Sequence, residues 1–428
     1  MRILLVAPSF PKRVMEYLTL PSLELCILSR ILKNAGHTVS LFDMKINRID
    51  IDHAENALRG EQMPDIVLID DSPETHCTSV KLIPLLKEIW NSSPFVAMRG
   101  EIPSFIPEVT MQRNPQLDFI VRYDDDYAFP AIVEAIDGGD TELIDIPNIA
   151  FRCGSKIICT DEIRQLKYDL DSLPMPDRRL YDIDKYLLRD SETIVRSSRG
   201  CPGNCLFCIK TRYECFRLFS VQRFCDEIQE LQQMGFDSFF FSDDTFAFSD
   251  QRLAEFAAEI QRRNMHIRFT SNIRIRDINN YKAAMLKEIG AYRVFVGIET
   301  VNAQSSSLLN KQMDEESVLS KLDILKRHGL EFHASFILGA PNDTPKDLEH
   351  IIDFVRKAQP TVITYNLIKV YPGLPLYSNP EQFGIVMDDP YWYEKDEWAD
   401  HCVMGTRDLP PEDLEKWARR MMWEYIAG

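Results

Sequence analysis

The sequence predicts an α/β protein built from two successive sets of parallel strands, the first a doubly wound sheet. Three observations carry this. Short apolar runs alternate with amphipathic stretches through residues 1–150, as in strands that helices bury on both faces. The alternation pauses at Leu173-Pro174-Met175-Pro176 and resumes over 191–378. At 428 residues the chain can fill two or three sizeable cores.

In order, Ile3–Ala7 is a continuous apolar run ending at Pro8-Ser9, and Leu23–Ala35 is an amphipathic helix stopped by Gly36. His37–Asp43 and Asp65–Asp70 are the next strands, followed by a helix through Leu82 to Ile89. Pro94–Met98 ends at Arg99-Gly100, and Asp118–Arg122 precedes a helix over Phe129–Ile136. Repeated βα units of this kind accept ligands at the carboxyl ends of their strands. Residues 151–190 read as a linker, made extended by its prolines. In the second set the strands are Thr193–Val195, Ser238–Ser242, Ile267–Thr270, Val294–Gly297, Phe332–Leu338 and Val362–Val370, with helices over 222–234 and 250–262. Six βα units are fewer than a closed eight-fold barrel requires. The aromatic-rich tail 379–428 is expected to be helical, most clearly over 412–426.

Apolar residues make up 45% and charged residues 27% of the chain, an ordinary globular balance. No run of 18 apolar residues occurs and Met1–Val6 lacks a signal-peptide pattern, so the expectation is a cytoplasmic protein with no membrane partner. A net charge of −17 argues against a nucleic-acid partner. Ten cysteines in a chain of this length do not form a disulfide framework.

Three of those cysteines are concentrated in Cys201-Pro-Gly-Asn-Cys205-Leu-Phe-Cys208. Thiolates at C-x3-C-x2-C spacing can hold a four-iron cluster and leave one iron without a protein ligand. A structural zinc site is the alternative, but zinc normally closes four ligands from paired knuckles, and no second C-x2-C or H-x3-H pair is present.

This loop resembles that of the radical S-adenosylmethionine enzymes, with Phe207 as the aromatic residue that commonly precedes the third cysteine. The resemblance implies a partial (β/α)6 barrel and a 4Fe-4S cluster on Cys201, Cys205 and Cys208. The open iron would chelate S-adenosylmethionine and cleave it to a 5′-deoxyadenosyl radical. Strand exits match in order: Asp243-Asp244-Thr245-Phe246, Ser271-Asn272-Ile273-Arg274, Gly297-Ile298-Glu299, Gly339-Ala340-Pro341 and Tyr371-Pro372-Gly373. By that match Asp243 or Asp244 would accept from the ammonium, Arg274 grip the carboxylate, Glu299 take the ribose hydroxyls and Gly339 contact adenine, with Ser271 beside them.

The first domain resembles the Rossmann-like cobalamin-binding domain that precedes many of these enzymes, on Pro8, Leu20-Pro21-Ser22-Leu23-Glu24-Leu25 and Ala35-Gly36-His37 leading to Asp43. Ser9, Pro21, Ser22, Asp70, Ser72, Gly100, Glu101 and Tyr123 are the cobalamin contacts it implies. Two segments depart from the family pattern, Arg99-Gly100 and Tyr123-Asp124-Asp125-Asp126, where glycines would let backbone approach a bulky ligand. No Asp-x-His-x-x-Gly loop occurs. His76 is therefore expected to be a solvated helix-start residue, and no histidine is expected below cobalt.

The implied activity is a cobalamin-dependent radical methyltransferase, moving a methyl group from methylcobalamin to an unactivated carbon. The alternative is a radical dehydratase, epimerase or rearrangement enzyme with a vestigial cobalamin domain. Period-two alternation puts Glu331, His333 and Ser335 on one strand face. Glu331 and His333, with Tyr365 on the next strand, are the candidate catalytic residues. A small-molecule or peptide side-chain substrate is expected, with an external one-electron reductant such as flavodoxin or ferredoxin.

Overall fold

The computed structural model describes residues 1–11, 20–123, 125–139, 143–163, 168–187, 192–213, 215–311, 313–399 and 401–427. The first sheet contains β1 (Arg2–Ala7), β2 (Thr38–Asp43), β3 (Ile66–Asp70), β4 (Phe95–Arg99), β5 (Phe119–Val121), β6 (Ile149–Cys153) and β7 (Lys156–Cys159). Their spatial order is β2-β1-β3-β4-β5-β6-β7. The first five pair in parallel, and β6 and β7 run antiparallel at one end. Every residue of β3 is buried because helices cover both faces. Leu5 and Leu68 enter one apolar layer, and Leu4, Val6, Val67 and Ile69 the other. Strand order reverses between β1 and β3, so the crevice beyond their carboxyl ends is the natural ligand position in this sheet.

The linker expected over 151–190 begins later than the sequence suggested. Phe151–Cys153 and Lys156–Cys159 are sheet strands, because Ala150 and Phe151 bury apolar side chains against β5. The proline-rich piece keeps only short 3-10 turns, at Leu170–Ser172 and Arg178–Leu180.

The chain continues through β8 (Thr193–Val195), β9 (Ser198–Arg199), β10 (Arg217–Leu218), β11 (Ser238–Phe241), β12 (Arg268–Ile273), β13 (Ala291–Glu299), β14 (Glu331–Leu338) and β15 (Val362–Leu367). Six of these form an all-parallel sheet in the order β15-β14-β13-β12-β11-β8. Side chains of Ser220, Ser249, Asn279 and Asp314 cap the helices that follow the strands, satisfying amide groups that helix starts leave open. The tail is only partly helical. β16 (Ile385–Met387) pairs antiparallel with β17 (Met404–Thr406) before the helix Pro411–Ala427.

The carboxyl ends of the two sheets meet. Arg196 pairs with Glu24 at 2.5 Å, Arg199 with Asp126 and Lys210 with Glu101. Gly373 has φ of 85°, and a Cβ there would strike the ring of Phe105. No described helix is long and apolar enough to cross a membrane.

Candidate functional site

Past β8 and β9 the chain enters the loop Cys201–Cys208. All three thiols line one cavity of about 390 Å³, together with Asp244 after β11, Asn272 and Arg274 around the end of β12, Glu299 closing β13, and His333 and Ser335 on β14. The amide of Gly203 donates to Cys201 Sγ at 3.3 Å. Burial raises the Cys201 thiol pKa, and that amide opposes the rise. A Cβ on Gly203 would stand 3.3 Å from the sulfur and 3.7 Å from Arg274 Nη1, so the bare backbone keeps the loop close to the guanidinium. Among the described residues no three His, Cys, Asp or Glu side chains converge tightly enough for a single metal ion. Three sulfurs along one cavity wall suit a multi-iron core and offer no preformed four-donor zinc cage.

Glu299 reaches the cavity through a local irregularity. The β13–β14 register shifts between Gly297 and Glu299, and Glu299 takes a left-handed φ of 72°, costly for a residue with a side chain. Its carboxylate folds back over Gly297, where an added Cβ would collide with Glu299 Oε1 and stand 3.2 Å from Lys311 Nζ. Lys311 lies 3.3 Å from that oxygen and donates to the Gly297 carbonyl at 3.1 Å. Sequence reasoning missed Lys311, which stands in a loop with no motif around it.

Arg274 donates through Nε to Asp277 at 2.6 Å. That bond fixes the side chain while its Nη1 edge approaches the cysteine loop. Its neighbours divide differently from expectation. Asp243 is fully buried and accepts from the Ser197 amide at 3.1 Å, from Ser197 Oγ at 2.8 Å and from Ser198 Oγ. It staples β11 to the β8–β9 loop and is absent from the cavity wall; Asp244 is the carboxylate there. Ser271 is buried out of the cavity, and Asn272 takes the lining position, donating to the Asp243 carbonyl at 3.0 Å.

Of the strand-face candidates, His333 and Ser335 line the cavity. His333 Nε2 lies 2.5 Å from Thr364 Oγ1, and burial, then the Arg293 charge, lowers its imidazole pKa. Glu331 is corrected: it is exposed at the amino end of β14 and pairs with Arg293 at 2.6 Å. Glu331→Gln is expected to cost no more than about 1 kcal/mol in stability and to leave the turnover rate unchanged in a steady-state assay. Gly339 is also corrected. Its φ is 82°, and a Cβ there would lie 2.8 Å from Leu414 of the C-terminal helix, so the glycine serves packing.

Tyr365 lines a second cavity, of about 520 Å³, with Asn366, Lys369, Trp398, Cys402 and, from the first domain, Glu74. Phe207 and Glu299 line both cavities, so the two adjoin. Burial raises the Cys402 thiol to about 11, leaving it protonated at neutral pH.

Behind the strand exits, Asp343 is buried and accepts from Ser305 Oγ at 2.6 Å and Thr300 Oγ1 at 3.3 Å. Burial raises its pKa from 3.8 to about 7. The folded-state value is the raised one, so the stability this carboxyl contributes is complete below pH 3.8 and is lost as pH rises to about 7, by at most roughly 4 kcal/mol. Asp343→Asn is expected to flatten that slope and to melt higher than wild type at pH 8, as read by circular dichroism.

In the first domain most expected ligand contacts are already engaged. Asp70 pairs with Arg99, and Glu101 with Lys210. The Ser72 amide donates to Thr75 Oγ1 at 3.0 Å. Ser22 caps the helix Leu23–Asn34, with Pro21 just ahead of it. Tyr123 is buried, with φ of 60°; its hydroxyl donates to the Ser104 carbonyl at 3.3 Å. Gly100 has φ of 132°, and a Cβ there would collide with the Asp71 carbonyl, so its missing side chain serves the β3 loop. Asp124 lies outside the described residues. Ser9 stands apart: its hydroxyl, at the exit of β1, is buried without a hydrogen-bond partner among the described residues. His76 is not solvated. It is 1% exposed, bonded to Asp71 Oδ2 at 2.7 Å and set 5.4 Å from the Tyr393 ring.

Residues 195–355 match the model of the radical SAM superfamily. The chain is 29% identical to an uncharacterized methyltransferase of Pyrococcus horikoshii, over 88% of this chain and 82% of that protein. It is 23% identical to the anaerobic magnesium-protoporphyrin IX monomethyl ester cyclase of Rubrivivax gelatinosus, over 88% and 69%. Its fold superposes on the radical S-adenosylmethionine methyltransferase TsrM of Kitasatospora setae, solved with cobalamin and a [4Fe-4S] cluster, with a TM-score of 0.79 at 15% identity. That match covers 100% of this chain and 88% of TsrM.

Proposed function

Because residues 195–355 match the model of the radical SAM superfamily, we propose that the chain is a cobalamin-dependent radical SAM methyltransferase acting on an unactivated carbon. The observation that carries this reading is the single cavity in which three thiols, Arg274 and Glu299 meet. The fold shared from end to end with TsrM supports it.

Cys201, Cys205 and Cys208 hold a 4Fe-4S cluster and leave one iron for S-adenosylmethionine. When bound, the cluster supplies the electron that splits the sulfonium, and cobalamin carries the methyl group. Arg274, oriented by Asp277, takes the methionyl carboxylate. Asp244 accepts from the ammonium, and Glu299, held by Lys311, accepts from the ribose hydroxyls. His333, neutral at physiological pH by its lowered pKa, can accept a proton at the cavity wall. Ser9, whose buried hydroxyl has no hydrogen-bond partner among the described residues, is the residue of the expected set that fits a corrin. The electron comes from an external donor such as flavodoxin or ferredoxin, in the cytoplasm.

One observation favours a second reading, radical dehydration, epimerisation or rearrangement without cobalamin: Gly100, Glu101 and Asp70 are committed to contacts within the protein. Anaerobic reconstitution with hydroxocobalamin separates the two. Methyl transfer predicts a retained corrin absorbance and label passing from methyl-labelled S-adenosylmethionine to the bound cofactor. Release of 5′-deoxyadenosine without any retained corrin would establish the second reading.

A further inference from the structure

The second cavity contains a cation without a close ion-pair partner among the described residues. Lys369 lies 4.0 Å over the face of the Trp398 ring and is the sole lysine or arginine of the cavity wall among the described residues. No carboxylate of the described residues comes within 4.0 Å of its ammonium. Burial lowers its pKa to about 8, against the opposing charge of Glu74. A desolvated ammonium that contacts an aromatic face and feels Glu74 only beyond ion-pair distance is incompletely compensated, and an anion from outside the chain would complete it. The rest of the wall is largely apolar, including Phe207, Tyr365 and Leu367. A volume of about 520 Å³ is that of an ordinary small-molecule site.

We propose that this cavity is the acceptor-substrate site and that it takes an organic acid with an apolar, ring-bearing body. The carboxylate sits on Lys369, and the body lies along Tyr365 and Phe207 toward Glu299, the wall shared with the first cavity. This rests on the proposed function in assigning the first cavity to S-adenosylmethionine. Glu74, Glu299 and Glu415 also line the cavity and disfavour a multiply charged anion, which leaves a monocarboxylate held directly on Lys369 as the matching class.

The test uses the anaerobically reconstituted full chain and a matched probe pair, 2-naphthoate and neutral 2-naphthalenemethanol, titrated by calorimetry. Wild type is expected to bind the acid roughly tenfold or more tightly than the alcohol. Lys369→Met is expected to bind both alike and Lys369→Arg to keep the preference, which separates lost charge from lost fold. Equal binding by wild type, or a preference that survives in Lys369→Met, would overturn the assignment. On the same wild-type sample, 5′-deoxyadenosine release with dithionite scores the radical chemistry separately. Cleavage without acid selectivity refutes the acid site alone; selectivity without cleavage supports the acid site and refutes the proposed function alone.

Discussion

Cys205→Ala, like Cys201→Ala or Cys208→Ala, is expected to abolish cleavage of S-adenosylmethionine, by about a thousandfold or more if the open iron is the electron's only route. The three sulfurs line one cavity wall, and a four-iron core takes its protein ligands from thiolates. Removing a thiol therefore leaves two protein ligands for a four-iron core. Iron and sulfide content and the cluster's visible absorbance should fall with the activity. Cys153→Ala is the control. Cys153 is exposed on β6, away from the loop, and its loss should leave iron content and cleavage at wild-type levels.

Gly297→Ala has the next largest expected effect, and a different signature. The new methyl group would occupy the space of Glu299 Oε1 and crowd Lys311 Nζ. Both are ends of flexible side chains, so the fold accommodates the change while the carboxylate is driven out of position. Misplacing a binding group by about 1 Å can cost about a hundredfold. The expected result is a KM for S-adenosylmethionine raised by about that factor, with iron content and melting temperature near wild type. An unchanged KM with the cluster intact would show that Glu299 does not contact this ligand.

Legibility in the sequence followed the strength of the local signal. The buried strands were plain because both faces are apolar, as in β3, and the cysteine loop because its spacing is dictated by the inorganic core it can hold. Connections were not plain. Residues 151–159 have too short a pattern to distinguish edge strands from tether, and only pairing with β5 decides it. Within the site, position along a strand mattered more than residue type. Glu331 shares a face with His333 but lies at the wrong end of β14. Asp243 and Asp244 look interchangeable in sequence, yet alternation sends one into the core and the other to the cavity. Glycines were the hardest to assign. Gly100 and Gly339 sit in segments that suggest ligand approach, and in three dimensions their space belongs to Asp71 and Leu414. Lys311 and Lys369 had no sequence signal, because their meaning lies in partners from other parts of the chain.

The most direct measurement is electron paramagnetic resonance of the anaerobically reconstituted, dithionite-reduced protein, recorded with and without S-adenosylmethionine. A cluster held by three thiols with one exposed iron should give a reduced four-iron signal that changes on addition of the ligand, accompanied by 5′-deoxyadenosine. A signal indifferent to S-adenosylmethionine, or zinc in place of iron at the three cysteines, would contradict the account.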